Sequence, residues 1–244
     1  MKSIIICEGS TDYVLLQYFM RNALGWEDDR NPNIMKKQFK RIRGLKKNGK
    51  QLFIGECGGS SRILSGMEYI LQVNSLSATE AERYDKIVVI TDRDEAGTEE
   101  TFLKGAEDIL KNIDVSVNDP VKNNTWIKCI QKNGMGKNCN VDILLMVIPF
   151  EDTGAIETFL LNCIAAEDPY DAGIIQAGNA FVDNIDPASR YLTKRRYITK
   201  AKFDIYFSVR TAAEQFMERQ NILKNVKWEN YLKIQKDFEK LGDL

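Results

Sequence analysis

The chain contains no histidine. That one absence removes a Ser-His-Asp triad, a Cys-His dyad and every imidazole-held metal, so any catalysis must rest on carboxylates, lysine or arginine, hydroxyls and a hard cation. Cysteine is sparse and scattered. Cys7, Cys57, Cys129, Cys139 and Cys163 are odd in number and include no C-x-x-C pair, which argues against both a disulfide framework and a zinc site. Cys7 and Cys57 lie in apolar runs and read as core residues. Long hydrophobic runs are missing too: none approaches the roughly 18 residues of a membrane span, and Met1–Gly9 is too short and too acidic for a signal peptide. A cytoplasmic protein without membrane contact is expected. Nor does charge of one sign dominate. With 34 Lys and Arg against 35 Asp and Glu, the net charge is −1, so any nucleic-acid surface must be local.

What is present is a globular composition: 244 residues, 43% apolar and 28% charged. That is enough for one large α/β domain, or an ordinary domain with an appendage. Four apolar runs read as buried strands: Ser3–Cys7, Gln51–Cys57, Ile87–Ile90 and Val141–Phe150. A helical pattern follows each, which points to parallel strands joined by crossovers. A further short strand is expected at Trp126–Gln131. Acids collect where these strands end. Glu8 closes the first, with Asp12 in the first turn of the next helix; Asp92 and Asp94 close the third; Glu157 opens the helix after the fourth. The carboxyl rim of an open α/β sheet is where ligands bind. Alternation puts Asp92 and Asp94 on one face, about 6.6 Å apart along the strand, a spacing that suits a hard divalent cation with oxygen ligands. Each acid also has a plainer reading: Asp92 and Asp94 as caps of the helix near Thr98, Asp12 as dipole compensation, and Glu157 as a surface helix residue.

Two basic stretches complete the picture. Lys36, Lys37, Lys40, Arg41, Arg43, Lys46, Lys47 and Lys50 fall between Met35 and Lys50 with no acid among them. The first seven are candidates for contacting nucleic-acid phosphates, with Phe39, Ile42 and Leu45 packing between them. Near the other end, Lys194, Arg195, Arg196, Lys200, Lys202 and Arg210 alternate with aromatics. Most read as cations whose stems lie along the core edge, leaving one or two to face the carboxylate rim and bind a phosphate. Gly58-Gly59-Ser60-Ser61 follows the second strand and lacks the length and lysine of a P-loop.

The segments I-I-I-C-E8-G-S-T-D12 and I-V-V-I-T-D92-R-D94 resemble the Toprim (topoisomerase–primase) domain over roughly Met1–Leu161. Within that superfamily the chain is most similar to stand-alone Toprim proteins and to the Toprim half of overcoming-lysogenization-defect (OLD) nucleases. Gly58-Gly59, Gly154-Ala155-Ile156-Glu157 and Lys200-Ala201-Lys202 carry the finer likeness. The resemblance implies a doubly wound, mostly parallel central sheet of about four strands with helices on both faces. It places a basic insertion at 30–50 within a core of residues 1–161, and a mainly helical C-terminal extension at 162–244.

The resemblance further implies Glu8, Asp92 and Asp94 as catalytic ligands of one Mg²⁺ or Mn²⁺, and Asp12 with Glu157 at a second ion about 4 Å away. Lys200 or Lys202 would lie at the scissile phosphate. No zinc and no nucleotide cofactor are implied. The function implied is a metal-dependent nuclease on DNA or RNA, in phage defence or DNA repair. Alternatives are a non-catalytic module that binds nucleic acid or a separate ATPase, and a primase-type nucleotidyl transferase. The chain departs from the family in lacking an ATPase half, a zinc module and a third aspartate after Asp94, for which Glu95 or Glu99 would substitute only in part. A homodimer is one arrangement the sequence admits.

Overall fold

The four apolar runs become four adjacent parallel strands. The computed structural model of the chain describes residues 1–30, 38–213 and 218–244. Its elements begin with β1 (Lys2–Cys7), α1 (Ser10–Asn22), β2 (Glu27–Asp28), β3 (Arg41–Lys47), β4 (Lys50–Glu56) and α2 (Ile63–Leu76). They continue with β5 (Lys86–Asp92), α3 (Thr98–Asn112), β6 (Ser116–Val117), β7 (Trp126–Lys132) and β8 (Asn138–Ile148). The remainder is helical: α4 (Ile156–Glu167), α5 (Pro169–Ile185), α6 (Arg195–Arg210), α7 (Arg219–Asn225) and α8 (Leu232–Asp237).

The sheet is mixed and larger than four strands. Its order is β2-β3-β4-β1-β5-β8-β7-β6, eight strands among the described residues. β4, β1, β5 and β8 run parallel, while β2–β3 and β7–β6 add antiparallel pairs at either side. The expectation of about four strands is therefore corrected: the parallel centre and the strand at Trp126 stand as expected, now β7 (Trp126–Lys132), while β2, β3 and β6 are additions. The basic stretch is no loose insertion, because Arg41–Lys47 pairs along its whole length with β4. Lys36 and Lys37 lie outside the described residues.

Strand alternation sends successive side chains to opposite faces, and both faces are apolar here. Ile5, Cys7, Val88, Ile90, Leu144, Met146 and Ile148 pack beneath α1 and the C-terminal helices. Ile4, Ile6, Ile87, Val89, Ile143, Leu145 and Val147 pack against α2 and α3. Residues 162–244 share the first of these cores, through Phe203, Phe207, Trp228, Phe238 and Leu241. Phe238 stacks on Phe159 and meets the edge of Phe19, tying the last helices to α4 and α1. Phe39, just before β3, lies so close to Gly55 that any Cβ there would sit 2.7 Å from its ring; glycine is what lets the entry to β3 close down on β4.

Trp228 is fully buried, and its indole N–H donates to Leu223 O at 2.8 Å. Trp228→Ala is expected to lower unfolding free energy by about 3–5 kcal/mol, read as a shift of the urea midpoint.

Candidate functional site

From β1 the chain turns through α1 toward β4, and from β5 it turns through α3 toward β8. Because α1 and α3 lie on opposite faces of the sheet, the junction of β1 and β5 is the point where the winding reverses, and such points open a crevice at the strand carboxyl ends. A cavity of about 530 Å³ occupies that position, and Glu8, Asp12, Asp92, Asp94 and Glu157 all line it. All five acids expected from the sequence are thus brought together.

Glu8 stands just past β1. The Thr91 hydroxyl donates to its Oε2 at 3.1 Å, and the backbone amides of Asp92 and Ser60 also point at its carboxylate. Its carbonyl oxygen accepts from both Gly58 and Gly59 N–H, at 2.9 and 3.1 Å. Those glycines have φ of 82° and 142°, a region other residues enter only with strain. The Gly58–Ser61 turn is thereby folded back against the end of β1, where it forms part of the cavity wall.

Asp12 lies at the third position of α1, whose N-cap is Gly9. Its Oδ2 accepts from Gly9 N–H at 3.0 Å, half of a capping box. Its other oxygen, Oδ1, has no hydrogen-bond partner, although the residue is only 3% exposed. The plain reading of Asp12 as a helix-terminus acid accounts for one oxygen and leaves the other aimed at nothing.

Asp92 ends β5. It does not cap α3, whose first residue is preceded by Gly97 with no side-chain cap. Its Oδ1 accepts from Ile156 N–H at 3.0 Å, the first amide of α4. Asp94 follows the strand and is exposed. Glu157 is buried, 3% exposed, and accepts from the Thr11 hydroxyl at 3.0 Å, so α4 and α1 are joined beneath the cavity. Glu95 is exposed, and Glu99 is occupied by Arg93 and by Asn123.

Crowded carboxylates in a dry place favour protons. Burial, then the charges of Glu157 and Glu8, push Asp12 up to about 8. Burial, followed by the charges of Asp12, Glu8, Glu157 and Asp94, holds Asp92 well above the usual carboxylate range. Burial also raises Glu8, against the opposing hydrogen bond from Thr91. An all-oxygen donor set with an unpartnered buried oxygen fits a hard cation such as Mg²⁺ or Mn²⁺. Among the described residues, however, no three such side chains are already grouped as an ion would hold them; coordination would need rotation of side chains on a fixed backbone.

Residues the sequence reading passed over also line the cavity. Glu56, at the end of β4 and 1% exposed, is paired with Arg41 and lies 3.6 Å from Lys40 Nζ. Its signal was available: it sits opposite Cys7 in the register, one strand over from Glu8. From α6 come Arg196, Thr199 and Lys200. Lys202, the alternative to Lys200, is turned away and pairs with Asp183 on α5 at 2.8 Å. Most of the basic stretch is engaged elsewhere. Arg43 pairs with Asp28 and Lys47 donates to Leu24 O, Lys46 is exposed along the strand, and of the five described candidates only Lys40 lines the cavity.

A doubly wound α/β sheet with carboxylates lining its switch point defines the class of protein. The chain belongs to the family described as Protein of unknown function (DUF3226), which matches residues 2–240. No curated protein matches it. The crystal structure of a hypothetical protein from Pyrococcus horikoshii OT3 is similar in fold, with a TM-score of 0.53 at 16% identity over 99% of this chain and 91% of that one. A Bacillus anthracis protein assigned to the glyoxalase family aligns at a TM-score of 0.19 with 12% identity, over 59% of this chain and 93% of that one, too slight a likeness to bear on the fold. No helix among the described residues is long and apolar enough to cross a membrane.

Acids with raised folded pKa values bind more protons in the folded than in the unfolded chain between the two pKa values. Stability must therefore fall as pH rises, here from the unfolded value near 4 toward about 8 for Asp12. In EDTA the melting temperature is expected to drop across that window. Asp12→Asn, which keeps an acceptor for Gly9 N–H, should flatten the drop and melt higher than wild type at about pH 8. A melting curve with the same pH slope in both proteins contradicts this account of the cluster.

Proposed function

We propose that the chain is a Toprim-type, Mg²⁺- or Mn²⁺-dependent enzyme that cleaves phosphodiester bonds in DNA or RNA. The observation that carries this reading is the buried, unpartnered Oδ1 of Asp12 among Glu8, Asp92 and Glu157, in a cavity that Lys200 also lines. Glu8, Asp92 and Asp94 are the set to hold one ion, and Asp12 with Glu157 the set for a second. An ion bound there would supply Lewis-acid stabilisation of a phosphoryl oxygen and lower the pKa of a bound water, making hydroxide available to attack phosphorus.

The chain's own groups prepare that site. Thr91 fixes the rotamer of Glu8, the Ile156 amide fixes Asp92, and Thr11 fixes Glu157. Each contact engages one oxygen of its carboxylate and leaves the other to turn toward an ion, the movement that gathering three of them would take. Lys200 brings an ammonium group to the same space, where it would attract the negative charge of a substrate phosphate. Along the basic strand, contact with the substrate falls to Lys40 at the cavity and Lys46 on the surface, because Arg41, Arg43 and Lys47 are held by neighbours.

A second reading, a non-catalytic module that works with a separate ATPase, draws on α5. Tyr170, Phe181 and Ile185 are exposed along that helix, at spacings that share one face.

Plasmid and oligonucleotide cleavage with Mn²⁺ separates the two. Wild type should cleave, EDTA should stop it, and Asp92→Ala should lower the rate by more than about a hundredfold. Equal cleavage by wild type and Asp92→Ala removes the proposed site. Mn²⁺ binding without cleavage of either substrate favours the module.

A further inference from the structure

The first turn of α6 gathers charge that the helix itself disfavours. Lys194 precedes the helix, Arg195 and Arg196 open it, and that turn contains no acid, so cations crowd the positive pole of the helix dipole. Lys200 lies one turn on, about 6 Å along the axis at ~1.5 Å per residue, at a spacing where like charges repel. Elsewhere on this helix cations are paired: Lys202 with Asp183, and Arg210 with the hydroxyls of Tyr206 and Tyr231. Among the described residues Arg196 meets only Tyr197, its guanidinium donating to the hydroxyl at 3.2 Å and lying 5.0 Å from the ring centroid, and Lys200 has no ion pair.

The arrangement is imposed from the other end of the helix. Phe203, Tyr206 and Phe207 are fully buried in the core beneath the sheet. Arg196, Thr199 and Lys200 precede Phe203 and Phe207 at helical spacings of three and four, so they share one helix face. Burying the aromatic half holds the basic half at the acidic cavity.

Lys40 stands on the same cavity from the β3 side. Its side-chain stem lies 3.5 Å from where a Cβ of Gly58 would be, and its ammonium is 3.6 Å from Glu56 with 63% of the side chain exposed. Glu56 is shared between Lys40 and Arg41, so one negative charge answers two positive ones and that wall stays net positive.

We propose that Arg196, Lys200 and Lys40, with the Thr199 hydroxyl, form a subsite for the terminal phosphoryl group of a phosphomonoester, beside the carboxylate floor. Its use in cleavage rests on the reading of that floor as a cation site; the subsite itself does not. A phosphodiester offers one charge and two free oxygens, whereas a terminal phosphate offers nearly two charges and three. Three cations from two elements match the second. Substrate is then engaged at a phosphorylated strand end, with Glu56 as the positioning residue that keeps Lys40 over the Gly58 turn.

Calorimetric titration of the full chain with methyl phosphate and dimethyl phosphate, in EDTA near pH 7.5, tests this directly. Methyl phosphate should bind at least about tenfold more tightly than the diester, and Arg196→Ala and Lys200→Ala should each cost about tenfold. Lys111→Ala, on the far end of α3, should change nothing, and circular dichroism should show all variants folded. Equal binding of the two esters, or undiminished binding by Arg196→Ala, overturns the subsite. A separate Mn²⁺ titration reads the floor. Ion binding with no ester preference defeats the subsite alone, while an ester preference with no ion binding defeats the floor and leaves the subsite standing.

Discussion

Carboxylates repel one another, and this sheet delivers them to one edge. Parallel strands end on the same side, so the residues that close β1, β4 and β5 lie along one rim: Glu8, Glu56 and Asp92. α1 and α4 add Asp12 and Glu157 from beneath. The backbone cannot relieve the crowding without giving up the strand register, and the surrounding core is too dry to screen it. The molecule answers in two ways. Glu56 is neutralised inside the chain by Arg41 and Lys40. Among the described residues Glu8, Asp12 and Asp92 are paired with no such cation, and burial raises the proton affinity of each. The difference between these two treatments separates the wall of the cavity from its floor.

The helices around the cavity are attached to the acids themselves. Asp12 closes the first turn of α1 through Gly9, Asp92 receives the first amide of α4, and Glu157 receives the Thr11 hydroxyl. A change in the charge of any one of these carboxylates is therefore felt at a helix terminus. That coupling gives the site its rigidity, and it also means that each acid has a structural duty alongside any chemical one. For Asp12 and Asp92 a place at a helix terminus does not exclude a ligand's role, since only one oxygen of each accepts an amide hydrogen bond and Asp12 leaves the other without a partner among the described residues.

The centre of the fold was legible because its strands are continuous apolar runs that leave no other reading, and the acids were legible because strand ends could be placed from those runs. The flank beside β4 was hidden for a physical reason. β3 reads R-I-R-G-L-K-K, and its Arg41 and Arg43 find Glu56 and Asp28 only once the hairpin has formed; as a string it looks like a solvated loop. Glu56 escaped notice because it was taken as interior to a strand ending at Cys57, although the register sets it beside the end of β1. Lys200 and Lys202 could not be told apart by spacing from the motif. The burial of Phe203 and Phe207 decides which of them turns to the cavity, and Lys202 goes to Asp183 instead.

The antiparallel flanks have a bearing on how copies of the chain meet. Each side of the sheet finishes, among the described residues, on a strand of only two residues: β2 at one margin and β6 at the other. A long unpaired margin is a template onto which another chain can add strands, and charged side chains along it discourage that. β2 pairs only with Leu45 and Lys46 of β3 and β6 only with Cys129 and Ile130 of β7, so among the described strands the guarding falls to Arg41 and Arg43 on one side and Lys128 and Lys132 on the other.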